Sequence, residues 1–191
     1  PGLKELLSNT ENAPSFWAEK EVTAAKEAGL VPALVDDPAY QDSTTREQFA
    51  QLIVQLITVA TGKEMEAAPA DTFQDTDSEA VRKAYQAGII NGMGDGTFAP
   101  KQTMTREQMA TMIHRAISYI EKETGVKLLT KPAVIQGYTD ENQVSDWAAE
   151  GMKALVTNGV INGTSDTTLA PQDPCTVEQG ILLLYRLYEK I

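Results

Sequence analysis

Thr105-Arg106-Glu107-Gln108 opens a long amphipathic segment, and the same motif returns as Thr45-Arg46-Glu47-Gln48 and as Thr176-Val177-Glu178-Gln179. A threonine with a glutamine three residues later is a capping box, in which each side chain accepts a hydrogen bond from the backbone N–H of the other residue. Apolar residues then follow at the spacing of a helix with one buried face. The sequence therefore predicts three long helices that begin at equivalent points of a repeat.

The predicted buried face is similar in the three copies. Its residues are Phe49, Leu52, Ile53, Leu56, Ile57 and Ala60 in the first copy, Met109, Met112, Ile113, Ala116, Ile117 and Ile120 in the second, and Leu183, Leu184, Leu187, Tyr188 and Ile191 in the third. Gly180 takes the position of Phe49 in the third copy. This pattern predicts one core-facing helix in each copy.

A shorter helix precedes each motif. These helices are predicted at 17–28, 79–87 and 147–158, and each is followed by a glycine suited to a left-handed C-cap, namely Gly29, Gly88 and Gly159. Trp17 and Trp147 start two of them at equivalent positions, where the second copy has Thr76. A turn-rich loop joins the two helices of a copy. We expect Phe98 and Leu169 to anchor it, and short extended pairs to be its only β structure.

The repeat sets the expected domain organisation. We expect copies at 1–62 (with an N-terminal lead-in), 63–124 and 125–191, packed into one mainly α body. Three copies in one chain can form a three-part assembly by themselves, so we expect a monomer. The chain begins at Pro1 rather than at a methionine, and its first ten residues do not resemble a signal peptide, so we expect a processed or excised fragment.

Composition argues against several classes of function. Sixteen Lys and Arg against 27 Asp and Glu give a net charge of −11, which disfavours a general nucleic-acid-binding surface. A single cysteine (Cys175) and a single histidine (His114) leave no internal disulfide, no CxxC metal site and little scope for catalytic chemistry. Asp95 lacks the alternating carboxylates of a calcium loop. No apolar run approaches a membrane span. We therefore expect no cofactor, no metal and no enzyme activity.

The second copy carries the most specific pattern. Gly92-Met93-Gly94-Asp95-Gly96-Thr97-Phe98-Ala99-Pro100, followed by Thr105-Arg106-Glu107, closely resembles the S-layer homology (SLH) repeat. The resemblance covers nearly the whole chain in three copies, of which the first and third are degenerate. It implies a pseudo-threefold trimer of copies around a central helical bundle, with grooves between neighbouring copies. It also implies a secreted, bacterial cell-surface protein attached non-covalently to anionic, often pyruvylated, secondary cell-wall polysaccharide, with the motif arginine in the ligand site.

Arg46 and Arg106 are the first candidate binding residues, because the helix dipole disfavours a cation at the first helical position. Each could pair with Glu47 or Glu107, or with a carboxylate of a neighbouring copy. Alternatively, the free N–H groups of the helix start and the guanidinium could together bind a carboxylate such as that of a pyruvyl ketal. Val177 replaces the arginine in the third copy, so at most two grooves keep this chemistry.

Six further residues complete the candidate ligand site: Trp17, Trp147, Gly92, Gly94, Lys101 and Asp75. The tryptophans could stack on a sugar ring or pack between copies and in the core. The two glycines could bring the backbone close to a ligand, or they could simply form a turn. Lys101 could add positive charge to a groove or remain solvated. Asp75 could cap the first helix of its copy or the loop that enters it.

Two functions of different classes fit this sequence. The first is a non-catalytic anchor that binds an acidic wall polysaccharide. The second is a protein-interaction or spacer module that has lost glycan binding, which Val177, the degenerate copies and the acidic charge favour. A positive concave surface around Arg46 and Arg106 would favour the anchor, whereas an even acidic surface would favour the spacer.

Overall fold

A computed structural model describes residues 12–134 and 137–191, and the expectations for the first ten residues lie outside this range. The described residues contain six α-helices and one 3₁₀ helix: α1 (Glu19–Glu27), α2 (Arg46–Thr61), α3 (Glu79–Gln86), α4 (Arg106–Thr124), the 3₁₀ helix (Glu141–Gln143), α5 (Asp146–Thr157) and α6 (Val177–Tyr188). We call α1, α3 and α5 the entry helices and α2, α4 and α6 the core helices. The mainly α prediction is confirmed.

The three core helices form the centre of the molecule. All three begin with the predicted capping box, in which the glutamine oxygen accepts from the threonine N–H at 3.0 Å. Helix α2 packs against both α4 and α6. Phe49 of α2 is fully buried, and a Cβ added at Gly180 would lie 3.4 Å from its ring, so glycine at this position leaves room for Phe49.

The predicted buried face of the third copy is wrong at its last residue. Helix α6 ends at Tyr188, and Ile191 lies beyond it with 39% of its surface exposed. Glu189 and Lys190 follow the helix and are exposed. The apolar spacing therefore continues in the sequence for one turn more than the helix does.

Three backbone hydrogen bonds join the copies in a closed ring just before the core helices. Thr44 N–H donates to the Cys175 carbonyl (2.9 Å), Cys175 N–H donates to the Met104 carbonyl (3.1 Å), and Met104 N–H donates to the Thr44 carbonyl (3.0 Å). All three residues are buried, and burial raises the pKa of the Cys175 thiol to about 11. Isolated β-bridges flank the ring at Ser43–Thr176, Thr45–Thr103 and Thr105–Pro174. Each copy therefore contacts both others at this point.

Each core helix packs against the entry helix of the next copy. Helix α2 packs against α3, α4 packs against α5, and α6 packs against α1, which closes the circle between the two ends of the described chain. In the described residues, no entry helix makes a comparable contact with the core helix of its own copy. The copies of the sequence are therefore interleaved in space.

Two buried glutamates fasten these cross-copy pairs. Glu107 is 2% exposed, and its carboxylate accepts from the N–H and hydroxyl of Ser145 (2.9 and 2.8 Å), the N-cap of α5, and from the amide of Gln172 (2.8 Å). Glu178 makes the equivalent bonds to the N–H and hydroxyl of Ser15 (2.8 and 2.7 Å), shortly before α1. A buried carboxylate with three charge-assisted hydrogen bonds contributes to stability only while its donors remain in place.

We expect Glu107→Ala to lower the free energy of unfolding by about 2 kcal/mol, because it removes the acceptor of the N–H and hydroxyl of the half-buried Ser145. Urea denaturation measures the change. Glu47 is the matched control, since it holds the same motif position but is only half-buried, and its carboxylate accepts no hydrogen bond from the described residues. Glu47→Ala should change stability by less than about 1 kcal/mol, and equal losses in the two variants would contradict the assigned role of Glu107.

Candidate ligand-binding grooves

Two grooves of matching composition lie between the copies in the described part of the chain, with volumes of about 250 Å³ (the first groove) and 410 Å³ (the second groove). Six equivalent positions have the same residue type in both. They are Arg46, Asn91, Gly92, Gln108, Arg115 and Trp147 in the first groove. They are Arg106, Asn162, Gly163, Gln179, Arg186 and Trp17 in the second. Each groove takes residues from all three copies, so neither is complete without every copy.

The arginine of the capping-box motif reaches across to the loop of the next copy. Arg106 is 7% exposed and donates from Nε to the Leu169 carbonyl (2.8 Å) and from Nη2 to the Asn162 carbonyl (2.9 Å). Arg46 makes the equivalent bonds to Phe98 (2.9 Å) and Asn91 (3.0 Å), and its guanidinium lies 4.5 Å from the centre of the Phe98 ring. Neither arginine forms an ion pair with a described carboxylate, so the alternative that they pair with Glu47, Glu107 or a carboxylate of a neighbouring copy is wrong.

The backbone N–H groups at the start of each core helix are also occupied. The first two N–H groups of each core helix donate to backbone carbonyls of the next copy. The acceptors are Gln102 and Pro100 for α2, Asp173 and Pro171 for α4, and Asp42 and Tyr40 for α6. The third N–H group, that of the capping-box glutamine, donates to the hydroxyl of the capping-box threonine. An anion site made of free helix-start N–H groups is therefore wrong. An anion in a groove must therefore be bound by donors other than these helix-start N–H groups.

The guanidinium groups nevertheless keep donors for a ligand. Each arginine has five N–H donors and stays protonated in proteins, and two of the five are used by the loop carbonyls. Burial lowers the pKa of Arg46, and the nearby negative charge of Asp75 partly offsets this. Both arginines line a groove, so each groove has a fixed positive charge in an otherwise acidic protein.

The two tryptophans present exposed rings at the grooves. Trp147 is the second residue of α5 and is 58% exposed, while Trp17 lies just before α1 and is 57% exposed. The alternative that they are core residues is therefore wrong. Each ring offers an apolar face beside the arginines, which is the arrangement that suits a sugar ring carrying a charged group.

The candidates chosen from the sequence omit the loop residues Asn91, Asn162 and Gly163 and four residues of the core helices, Gln108, Gln179, Arg115 and Arg186. The two glutamines belong to capping boxes, but only their oxygens take part, and their NH2 groups have no acceptor among the described residues. The two arginines occupy the same position in the second and third copies, where the first copy has Gln55. Their recurrence at one helical position was the signal that could have identified them.

Comparison with known proteins agrees with this architecture. The sequence model of the S-layer homology domain matches residues 71–110 and 124–178. The chain belongs to the S-layer homology domain family. It is 32% identical over 154 residues to an endoglucanase of Bacillus sp. (strain KSM-635), covering 78% of this chain and 15% of that protein. It is 28% identical over 112 residues to the cellulosome-anchoring protein of Acetivibrio thermocellus (58% of this chain, 23% of that protein). It is 28% identical over 111 residues to the surface-layer 125 kDa protein of Lysinibacillus sphaericus (58% and 8%).

This SLH chain thus spans less than a quarter of the length of each of these three relatives. No helix in its described residues is both long enough and apolar enough to cross a membrane. Those residues also contain no cluster of three or more His, Cys, Asp or Glu side chains placed to hold a metal ion.

The glycines of the SLH loop have different roles. Gly92 lines the first groove, and a Cβ there would lie 2.7 Å from the Phe73 ring and 2.9 Å from the Thr97 carbonyl, so only glycine fits. Gly94, with a φ of +93°, lies in the turn closed by the bond from Met93 N–H to the Thr97 carbonyl (2.8 Å) and lines neither groove.

Two further candidate residues, Asp75 and Lys101, also lie outside both grooves. Asp75 accepts hydrogen bonds from the N–H groups of Phe98 and Ala99 (2.8 Å each), so it holds the loop between the two helices of its copy. The expected helix cap is wrong, because Ser78 caps α3. Lys101 forms an ion pair with Asp36 of the first copy instead of remaining unpaired.

The third equivalent position of the SLH chain lacks the side chains that the two grooves share. Val177 replaces the arginine of the motif, Gln55 replaces the second arginine, and Thr76 replaces the tryptophan. The loop of the first copy is bound to α2 here, because Gln48 donates to the Val35 carbonyl (3.0 Å) and Gln51 accepts from the Val35 N–H (2.9 Å). The divergent loop and the missing arginine therefore occur at the same place in the fold.

We expect Arg106→Ala to lower the free energy of unfolding by about 2 kcal/mol, because it leaves the carbonyls of Leu169 and Asn162 without their donor. Arg115→Ala is the matched control, since Arg115 donates only one long bond, to the Ile89 carbonyl at 3.4 Å. Its effect should stay within about 0.5 kcal/mol. Thermal or urea unfolding compares the two, and a stability loss confined to Arg115→Ala would contradict these roles.

Proposed function

We propose that this chain is a non-catalytic module that anchors a larger secreted protein at a bacterial cell surface. It does so as a monomer, by binding anionic, pyruvylated secondary cell-wall polysaccharide in the two arginine-lined grooves. Membership of the S-layer homology domain family supports an anchoring role. So do relatives whose names describe a cellulosome-anchoring protein, a surface-layer protein and a middle cell wall protein.

The composition of the first groove carries the proposal. Arg46 and Arg115 are two cations on one cavity, and Gln108 adds a free amide N–H donor. A pyruvyl ketal places a carboxylate on the rim of a sugar ring. Guanidinium groups recognise a carboxylate through paired hydrogen bonds, while the exposed face of Trp147 supports the apolar face of the ring.

Charge distribution favours the anchor over the spacer. The chain has a net charge of −11, yet each groove is lined by two arginines. A spacer with no anionic ligand has no use for cations placed in concave sites of an acidic body. Two grooves on one body also give avidity for a polymer that repeats its charged group.

The tryptophans offer the cleanest test, because the motif arginines also hold the loops in place. We expect the double variant Trp17→Ala/Trp147→Ala to be retained at least about tenfold more weakly by purified wall polysaccharide, if each stacking contact contributes about 1 kcal/mol. Both side chains are more than half exposed, so the fold should keep its thermal midpoint.

Phe16→Ala is the matched control, since Phe16 is 94% exposed beside Trp17 but lines neither groove. It should bind like the parent chain. Polysaccharide stripped of its pyruvyl groups should retain neither protein. Equal retention of all variants on native and stripped polymer would overturn the proposed function.

A further inference from the structure

The two grooves differ in whether the second arginine is paired with a carboxylate. Glu21 lies one helical turn after Trp17 on α1, and its carboxylate holds Arg186 of the second groove by two bonds, Nε–Oε1 at 2.9 Å and Nη2–Oε2 at 3.0 Å. The equivalent position one turn after Trp147 is Gly151. No described carboxylate lies within ion-pair distance of Arg115 in the first groove.

Close helix packing explains the glycine. A Cβ added at Gly151 would lie 3.2 Å from the Cβ of His114 and 3.6 Å from the Ala110 carbonyl. Helix α5 therefore lies so close to α4 that a side chain at this position must displace a neighbour. The first groove lacks an internal carboxylate because of its packing, and its second arginine keeps its positive charge uncompensated.

We propose that the two grooves bind anionic groups unequally, with the first groove as the anion site and Glu21 as the residue that keeps the second groove from accepting an anion at Arg186. This inference rests on the proposed function. A ligand carboxylate entering the second groove must either break a bidentate, partly buried ion pair or sit beside the negative charge of Glu21. The same carboxylate entering the first groove meets Arg115, whose one side-chain hydrogen bond in the described residues is the long bond to the Ile89 carbonyl at 3.4 Å.

Other acidic residues do not account for the difference. Asp75 lies near Arg46, and Asp140 lies near Arg106. These aspartates are equivalent in the two copies and hold equivalent loop N–H groups. Among the described carboxylates, Glu21 alone forms an ion pair with an arginine that lines a groove. It lowers the affinity of the second groove for a charged sugar relative to that of the first groove.

The positions of the tryptophans allow each groove to be measured separately. The chain has two tryptophans, one at each groove. In Trp17→Phe the fluorescence of Trp147 reports the first groove, and in Trp147→Phe the fluorescence of Trp17 reports the second. The probe is a hexopyranoside with a cyclic pyruvyl ketal, and the same hexopyranoside without the ketal is the control ligand.

We expect the first groove to bind the pyruvylated probe at least about tenfold more tightly than the second, the scale of one charge-assisted contact. Adding Glu21→Gln should tighten the second groove by about tenfold and leave the first unchanged. Adding Arg115→Gln should weaken the first by a similar factor. Glu19→Gln removes the same charge from an exposed position of α1 outside the grooves, so it should change neither.

The outcomes separate the two proposals. If both grooves bind the pyruvylated probe equally, or if Glu21→Gln leaves the second groove unchanged, the inequality is wrong while the anchoring function stands. If neither groove binds the probe, the proposed function fails and this inference fails with it. Circular dichroism of each variant verifies that the helices are intact.

Discussion

The closed ring of backbone hydrogen bonds through Thr44, Met104 and Cys175 is the constraint on which the rest of this structure depends. It fixes the start of each core helix against the neighbouring copy, where carbonyls of that neighbour take up the first helical N–H groups. Orphan N–H groups at a helix start must find partners, and here a second copy supplies them. The ring thereby directs the motif arginine into the next loop and brings each core helix onto the next entry helix.

Because the copies are interleaved, each groove is built from residues of all three copies, and no single copy contains a complete groove. A change in one copy acts where its neighbour lies: Val177 of the third copy faces the first copy, whose loop has lost the pattern that an arginine would hold. The departures of the first and third copies from the motif therefore meet at one position, which lacks both arginines and the tryptophan. The other two positions keep these side chains and differ at Glu21 and Gly151, which set the charge that a ligand meets.

Much of the fold could be predicted from the sequence, because the capping boxes and the apolar spacing of the core helices are local signals that the structure follows. The partners of the helices could not, since periodicity shows which face is buried but not which neighbour buries it. Arg106 illustrates the same limit for the site: its partners are the backbone carbonyls of Leu169 and Asn162, which no residue type reveals. The capping box accounts for Gln108 in the sequence, but the box uses only its side-chain oxygen, and Gln108 also lines the first groove.

A crystal structure of the protein with a pyruvylated hexopyranoside tests the central claim most directly, because it shows whether one ligand touches all three copies. We expect the ligand carboxylate between Arg46 of the first copy and Arg115 of the second, with the sugar ring against Trp147 of the third. A ligand bound outside the grooves, or with its carboxylate turned away from both arginines, would contradict it.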